Sequence, residues 1–296
     1  MLTKNQFDVL DCIINSEKKL SQRNIAKQTD MSVGTVNKIL LELSNQGLIE
    51  ENQITENGIA AMEPYKVKRA VLIAAGFGSR LVPITLNTPK PLIRVNGKRI
   101  IESAIDALVE IGIEEIYIVR GYLGKQFDEL LYKYPTIKFI ENEKYNEANN
   151  ISSIVMAKDH LKNAYIIESD LMVYNKNLIK KYQYSSNYLG IAVEETHDWC
   201  FYTTNNKIIK KVAIGGKDCY QMVGVSYWTE EDGEKLAKDV VEVFNAPGGK
   251  ERYWDQVPLE YCIDNYKISV RPCKQEDIIE IDTFNELKAI DPAYDV

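Results

Sequence analysis

Arg69–Leu92 reads RAVLIAAGFGSRLVPITLNTPKPL, and the rest of the chain makes sense as support for it. Val71, Leu72 and Ile73 form a short apolar run, the pattern of a strand buried on both faces. Ala74, Ala75, Gly76, Phe77, Gly78 and Ser79 follow without a spacer. Two glycines flanking one residue let the backbone turn sharply and set its N–H groups against something large. A phosphate chain is the usual occupant of such an amide nest. Arg80 and Lys90 add cations in the same segment. A dinucleotide fingerprint is excluded, because Leu81 stands where its third glycine would fall. A Walker loop is excluded too, because no Gly-Lys-Ser/Thr follows the glycines at the required spacing.

At 296 residues the chain has room for two domains, at the usual ~150 residues each. Its composition is globular, with 45% hydrophobic and 27% charged residues. No run approaches the ~20 apolar residues that span a bilayer, and the first residues lack the apolar core of a signal peptide. The five cysteines are scattered, with no C-x-x-C pair, so a cytoplasmic protein with reduced thiols is expected. A net charge of −7 argues against broad nucleic-acid binding.

Residues 1–65 carry apolar positions at helical spacing in three blocks: Phe7, Leu10 and Ile14; Ile25 and Ala26; Val36, Ile39, Leu40 and Leu43. Thr3 and Ser21 stand where N-caps belong, and Gly47 ends the third block. Residues 48–55 then read as two short strands about a polar turn. Three helices and a hairpin resemble a winged helix-turn-helix domain. That resemblance implies DNA contact through Ser32, Thr35, Asn37 and Lys38. The charges oppose it, since the segment holds six basic and nine acidic side chains, and phosphate neutralisation supplies most non-specific affinity. A dimerisation or interaction module, with a possible homodimer, is the other expectation. A short basic linker leads into a second domain over 66–296.

Past Lys90, Asn96-Gly97 marks a hairpin turn. A helix over 101–111, a strand over 116–119, a helix over 126–134, a strand over 137–140, a helix over 151–161 and a strand over 164–167 follow. This alternation predicts an α/β fold, a mostly parallel, Rossmann-like mixed sheet with helices on both faces, preceded by the small winged-helix domain. Ligands then belong beyond the carboxyl ends of the strands. The polar stretch 141–150 falls at such an end, making Asn142, Asn149 and Asn150 candidate readers of a base or ribose. The strand over 164–167 runs into Glu168, Ser169 and Asp170, and a second acidic cluster, Glu280 and Asp282, follows Ile278-Ile279. Asp170, Glu280 and Asp282 are candidate ligands for Mg²⁺, which prefers carboxylate and phosphate oxygens. The last third holds Trp199, Tyr227, Trp228, Tyr253 and Trp254, each close to an acid. Aromatic faces beside carboxylates suit a quaternary ammonium; core packing is the ordinary alternative.

The seventeen-position pattern G-x-G-S-R-L-x-P-x-T-x-x-x-P-K-P-L over 76–92 resembles the signature loop of nucleotidyltransferases. With N-E-K-Y-N-E-A-N-N-I-S-S-I, D-W-C-F, G-V-S-Y-W, Y-W-D and I-I-E-I-D in one order, residues 68–290 resemble the bacterial CTP:phosphocholine cytidylyltransferases. The resemblance implies transfer of CMP from CTP to phosphocholine with release of pyrophosphate. It implies that residues 74–79 wrap the triphosphate, that Arg80 and Lys90 stabilise the leaving pyrophosphate, and that Asp170 and Asp282 hold the metal. It implies that Trp199, Tyr227, Trp228, Tyr253 and Trp254 hold the acceptor. Phosphoethanolamine, 2-aminoethylphosphonate, a polyol phosphate and a sugar-1-phosphate are rival acceptors, and a nucleotide-sensing transcription regulator is the rival class.

Overall fold

A computed structural model of the chain describes residues 1–16 and 18–295. It divides into two compact units, one of residues 1–66 with 182–184 and one of residues 67–181 with 185–296.

In the first unit α1 (Lys4–Ile14), α2 (Gln22–Thr29) and α3 (Val33–Asn45) precede a hairpin of β1 (Ile49–Glu50) and β2 (Gln53–Ile54) and then α4 (Glu56–Met62). The helix starts are set by hydroxyl caps. Thr3 and Gln6 form a capping box on α1, and Ser21 and Ser32 accept from Asn24 N and Thr35 N. Ser32 is therefore occupied as a cap, while Thr35, Asn37 and Lys38 stand exposed on α3. Glu51 and Asn52 both take positive φ (48° and 61°), as a primed two-residue hairpin turn requires.

The core of this unit takes in residues from far along the chain. Tyr182 is 4% exposed within the cluster of Phe7, Leu10, Ile39 and Leu43. Tyr184 stacks on Tyr65 at 5.5 Å, and Phe7 tilts against both rings at 5.1 and 5.4 Å. Gln183 N donates to Tyr65 O at 2.8 Å. The expected division at residue 65 therefore misses that 182–184 complete the first unit.

The second unit opens with β3 (Arg69–Ala74). Next come β4 (Arg94–Val95), β5 (Lys98–Arg99), α5 (Ile100–Glu110), β6 (Glu115–Arg120), β7 (Lys138–Glu141), α6 (Ile151–Met156), β8 (Ala164–Glu168) and β9 (Leu171–Val173). They are followed by β10 (Asn187–Thr203), β11 (Ile209–Trp228), α7 (Glu230–Asn245), β12 (Ser269–Cys273), β13 (Ile278–Glu280) and α8 (Phe284–Ile290). The seven-stranded sheet runs β12-β10-β11-β8-β3-β6-β7. β3 pairs parallel with both β6 and β8, β6 with β7 and β10 with β12; β11 is antiparallel to β8 and β10. The central strands are almost wholly apolar because both faces are covered. Ala70, Leu72, Ile118 and Ile167 meet α5 through Ile101, Ala104, Ile105 and Leu108. Val71, Val119 and Ile166 meet Ile154 of α6 and Leu236 and Val240 of α7.

The Asn96-Gly97 turn forms as expected, at φ 49° and 84°. Gly112 ends α5 at φ 80°, with Ile113 N donating back to Leu108 O. The segment expected as a helix over 126–134 is a 3-10 run over Gly124–Tyr132. Its buried Phe127 and Leu130 are three residues apart, a spacing that suits either helix. The helix expected over 151–161 stops at Met156. The largest addition is the β10–β11 hairpin, of 17 and 20 residues, which extends the sheet beyond the strand over 164–167. No described helix is long and apolar enough to cross a membrane.

Removing the Tyr182 side chain should cost the first unit about 3 kcal/mol, the usual price of a large buried cavity. Tyr182→Ala should therefore speed amide exchange in α1 and α3 (hydrogen exchange by mass spectrometry). Unchanged exchange would show that residues 182–184 are not part of that core.

Candidate active site

The carboxyl ends of β3, β6, β7 and β8 lie on one edge of the sheet, because these strands are parallel. The glycine loop leaves β3 at that edge. Gly78 sits at φ 62°, and a Cβ there would fall 2.9 Å from Lys90 Cβ and 3.1 Å from Thr85 Cγ2. Glycine is thus required for its backbone and for the close approach of Lys90. Thr85 Oγ1 donates to Gly78 O at 3.0 Å and ties the turn. Ala74 and Ala75 are buried, so a nucleotide could reach them only through backbone; Gly76, Phe77, Ser79 and Arg80 are exposed.

Two strand ends bring the acids to this loop. β9 pairs antiparallel with β13, setting Leu171 opposite Glu280, and Ile281 N donates to Asp170 O at 3.1 Å. One ligand oxygen each of Asp170, Glu280 and Asp282 then lies within 4.8 Å of the others. Lys90 Nζ donates to Asp170 Oδ2 and to Asp282 Oδ1, each at 2.8 Å, and Arg80 Nη2 donates to Asp282 Oδ1 at 2.7 Å. The structure thus gathers five of the sequence-derived candidates, Arg80, Lys90, Asp170, Glu280 and Asp282, into one cluster.

Burial disfavours a charge on Lys90, but the Asp170 and Asp282 carboxylates outweigh it and hold the ammonium above its ordinary pKa. For Asp282 burial acts upward, and the hydrogen bond from Lys90 wins, leaving it below the usual carboxylate value. Burial, then the charges of Asp170 and Asp282, push Glu280 up to about 8. Asp170 Oδ1 is buried without a hydrogen-bond partner. Three converging carboxylates and an orphaned oxygen form the donor set of a hard divalent cation such as Mg²⁺. Such an ion would turn the repulsion around Glu280 into attraction.

A second acidic centre adjoins the first. Glu168 ends β8 and lies against Gly224, where a Cβ would come within 2.8 Å of Glu168 Cγ. Asn150 Nδ2 donates to Glu168 Oε1 at 3.3 Å. Burial, then the charges of Asp170, Asp255 and Glu280, raise Glu168 well above its ordinary pKa. Asp255 accepts from Tyr188 Oη at 2.8 Å, and burial pushes it up to about 7. Trp254 Nε1 is buried there without a partner. The sequence marked Glu168 and Asp255 only as acids near other candidates; the visible signal was Asp255 directly after Tyr253-Trp254.

Several sequence-derived candidates have other duties. Asn142 is 2% exposed, and its amide donates to Ser152 and Ser153 Oγ at 2.9 and 3.1 Å, so it anchors the start of α6 rather than a base. Asn149 donates to Glu251 O and accepts from Asn150 N. Asn150 is spent on Glu168 and on Trp254 N. Tyr227 and Trp228 pair with Tyr165 and Ala164, at the amino end of β8, and are 1% and 0% exposed. They belong to the core at the far end of the strand from Glu168 and cannot line an acceptor pocket. Trp254 is also core, 2% exposed and stacked on Tyr188. Tyr253 is 47% exposed and meets the half-buried Trp199 edge to face at 6.1 Å. That pair alone of the five aromatics retains open surface.

Lys90 competes with any metal for Asp170 and Asp282. An ammonium at this distance opposes a second cation by on the order of 1–4 kcal/mol. Lys90→Met should therefore tighten Mn²⁺ binding in the absence of nucleotide at least about tenfold, read by titration calorimetry. Unchanged or weaker Mn²⁺ binding would show that these carboxylates are not a cation site.

Residues 69–206 match the nucleotidyl transferase family and residues 2–50 match a winged helix-turn-helix DNA-binding family. The 2-aminoethylphosphonate cytidylyltransferase of Lancefieldella rimae is 38% identical over 228 residues, 76% of this chain and 92% of that one. The choline-phosphate cytidylyltransferase of Streptococcus pneumoniae is 31% identical, over 75% of this chain and 96% of that one. A solved structure of CTP:phosphocholine cytidylyltransferase from S. pneumoniae superposes with a TM-score of 0.72, covering 77% of this chain and 99% of its own. From the signature loop, the clustered carboxylates and these relatives together, the chain belongs to the nucleotidyltransferase family, as a cytidylyltransferase carrying an N-terminal winged helix-turn-helix.

Proposed function

We propose that this chain transfers CMP from CTP to a small phosphonate or phosphate that bears a primary ammonium, with 2-aminoethylphosphonate as the first candidate. The observation that carries the reading is the placing of two acids near the Asp170 cluster, Glu168 half-buried at the end of β8 and Asp255 buried against Tyr188. A primary ammonium brings three N–H donors, which suit carboxylates. A trimethylammonium brings none and relies on aromatic faces. With Tyr227, Trp228 and Trp254 in the core, little aromatic surface remains for it. The similarity to the L. rimae protein supports the same acceptor. Phosphocholine is the second reading, favoured by the Trp199–Tyr253 pair and by the S. pneumoniae relative.

In the reaction an acceptor oxygen attacks the α-phosphorus of CTP. A new P–O bond forms there as the bond to the bridging oxygen breaks, and its electron pair leaves on pyrophosphate. Lys90 and Arg80 stabilise that departing charge, and the exposed backbone of Gly76–Ser79 receives the phosphates. Asp170, Glu280 and Asp282 would hold Mg²⁺, which supplies Lewis-acid polarisation of the α-phosphate when bound. No general base is required, since the attacking oxygen is already ionised. For the first unit, duplex DNA is the proposed partner, supported by its family match and by the exposure of Thr35, Asn37 and Lys38.

Lys90→Ala should lower kcat by about 10²–10³, the usual loss for one donor aimed at developing charge. Near-normal turnover would remove Lys90 from that role. The acceptor is tested by kcat/KM for 2-aminoethylphosphonate, phosphoethanolamine and phosphocholine. The primary ammonium compounds should lead by about tenfold or more, the worth of one charged hydrogen bond. A lead for phosphocholine would favour the second reading.

A further inference from the structure

The loop from Gly78 to Leu92 contains three 3-10 turns, Ser79–Leu81, Ile84–Leu86 and Lys90–Leu92, and no strand or α-helix. Its spacing is set from outside, by the turn that follows β6. Tyr122 N donates to Ala75 O at 3.1 Å, on the limb rising from β3. Tyr122 Oη lies 2.8 Å from Thr85 O and 3.3 Å from Leu86 O, directing its one hydroxyl hydrogen at the returning limb. Gln126 Nε2 donates to Asn87 O at 2.8 Å. Two side chains thus fasten the returning limb, Tyr122 at Thr85 O with Leu86 O close by, and Gln126 at Asn87 O. The Tyr122 ring also braces Phe77, between the two glycines, at 5.0 Å between centroids. From Thr85 the chain of contacts continues through Gly78 to Lys90.

We propose that Tyr122, assisted by Gln126, is a positioning residue for the triphosphate end of the nucleotide. It fastens the two limbs of the loop at a fixed spacing, so that the amides of Gly76–Ser79 and the Lys90 ammonium close on the β- and γ-phosphates. It touches neither substrate nor the reacting atoms. An unclamped loop would pay its ordering entropy on each binding event, and only for ligands that use the loop. The inference rests on the cytidylyltransferase reading, in which a triphosphate is the ligand.

The test is calorimetric binding of CTP and of CMP to the full-length wild type, Tyr122→Phe, Gln126→Ala and the double variant. Tyr122→Phe keeps the ring and removes only the hydroxyl. Each single variant should weaken CTP about two- to tenfold, the range of one neutral hydrogen bond, and the double variant more. CMP affinity and the melting temperature should stay at the wild-type values, because CMP lacks the β- and γ-phosphates. Unchanged CTP affinity in the double variant would overturn the proposal. An equal loss for CTP and CMP would overturn it too, by assigning Tyr122 a general role in the fold. A wild-type protein that bound no nucleoside triphosphate would instead overturn the cytidylyltransferase reading beneath it.

Discussion

The Lys90 ammonium, shared between Asp170 and Asp282 at 2.8 Å each, is the interaction on which the site depends. Nearly buried charges are costly unless paired, and here each partner comes from a different part of the chain. Lys90 arrives on the glycine loop, Asp170 at the turn between β8 and β9, and Asp282 just past β13. The β9–β13 pairing and the bond from Ile281 N to Asp170 O bring the two acids together. The close contact of Gly78 with Lys90 delivers the cation. A substitution at Gly78 would disturb that approach even though glycine itself carries no chemistry.

Two acidic centres adjoin the carboxyl end of β8. One, Asp170 with Glu280 and Asp282, faces the cations of the loop and suits a metal. The other, Glu168 with Asp255, is held up by burial, against which act Lys90 for Glu168 and the hydrogen bond from Tyr188 for Asp255. Under the proposed function, these acids would face the ammonium end of the acceptor and the Asp170 cluster its anionic end.

Much of this was legible in the sequence, and the limits have physical causes. The loop was readable because its glycines, prolines and cations are local requirements of backbone shape and charge. Asp170 was readable because β8, an apolar strand of the parallel sheet, runs into acids at the ligand edge, whereas Glu280 and Asp282 were visible only as acids after an apolar pair, since β13 pairs with β9 outside that sheet. Asn142, Tyr227, Trp228 and Trp254 misled because burial is a tertiary property. A polar Asn bound to the serines of α6 and a Trp packed in the core with α7 look, in sequence, like ligand-binding groups. The long β10–β11 hairpin was hidden because its outer part is polar and irregular, with a bulged register around Cys200 and Phe201. The contribution of Tyr182 and Tyr184 to the first unit could not be read at all, since it joins residues more than 100 positions apart.

The central claim, that the Lys90 cluster serves transfer of a cytidylyl group onto a phosphorus oxyanion, is tested most directly by ³¹P NMR of the products. Purified protein, CTP, Mg²⁺ and 2-aminoethylphosphonate should yield two mutually coupled phosphorus signals, one phosphonate and one α-phosphate, together with equimolar pyrophosphate. Release of inorganic phosphate without a coupled pair, or recovery of CTP unchanged with every amine-bearing acceptor, would contradict the account.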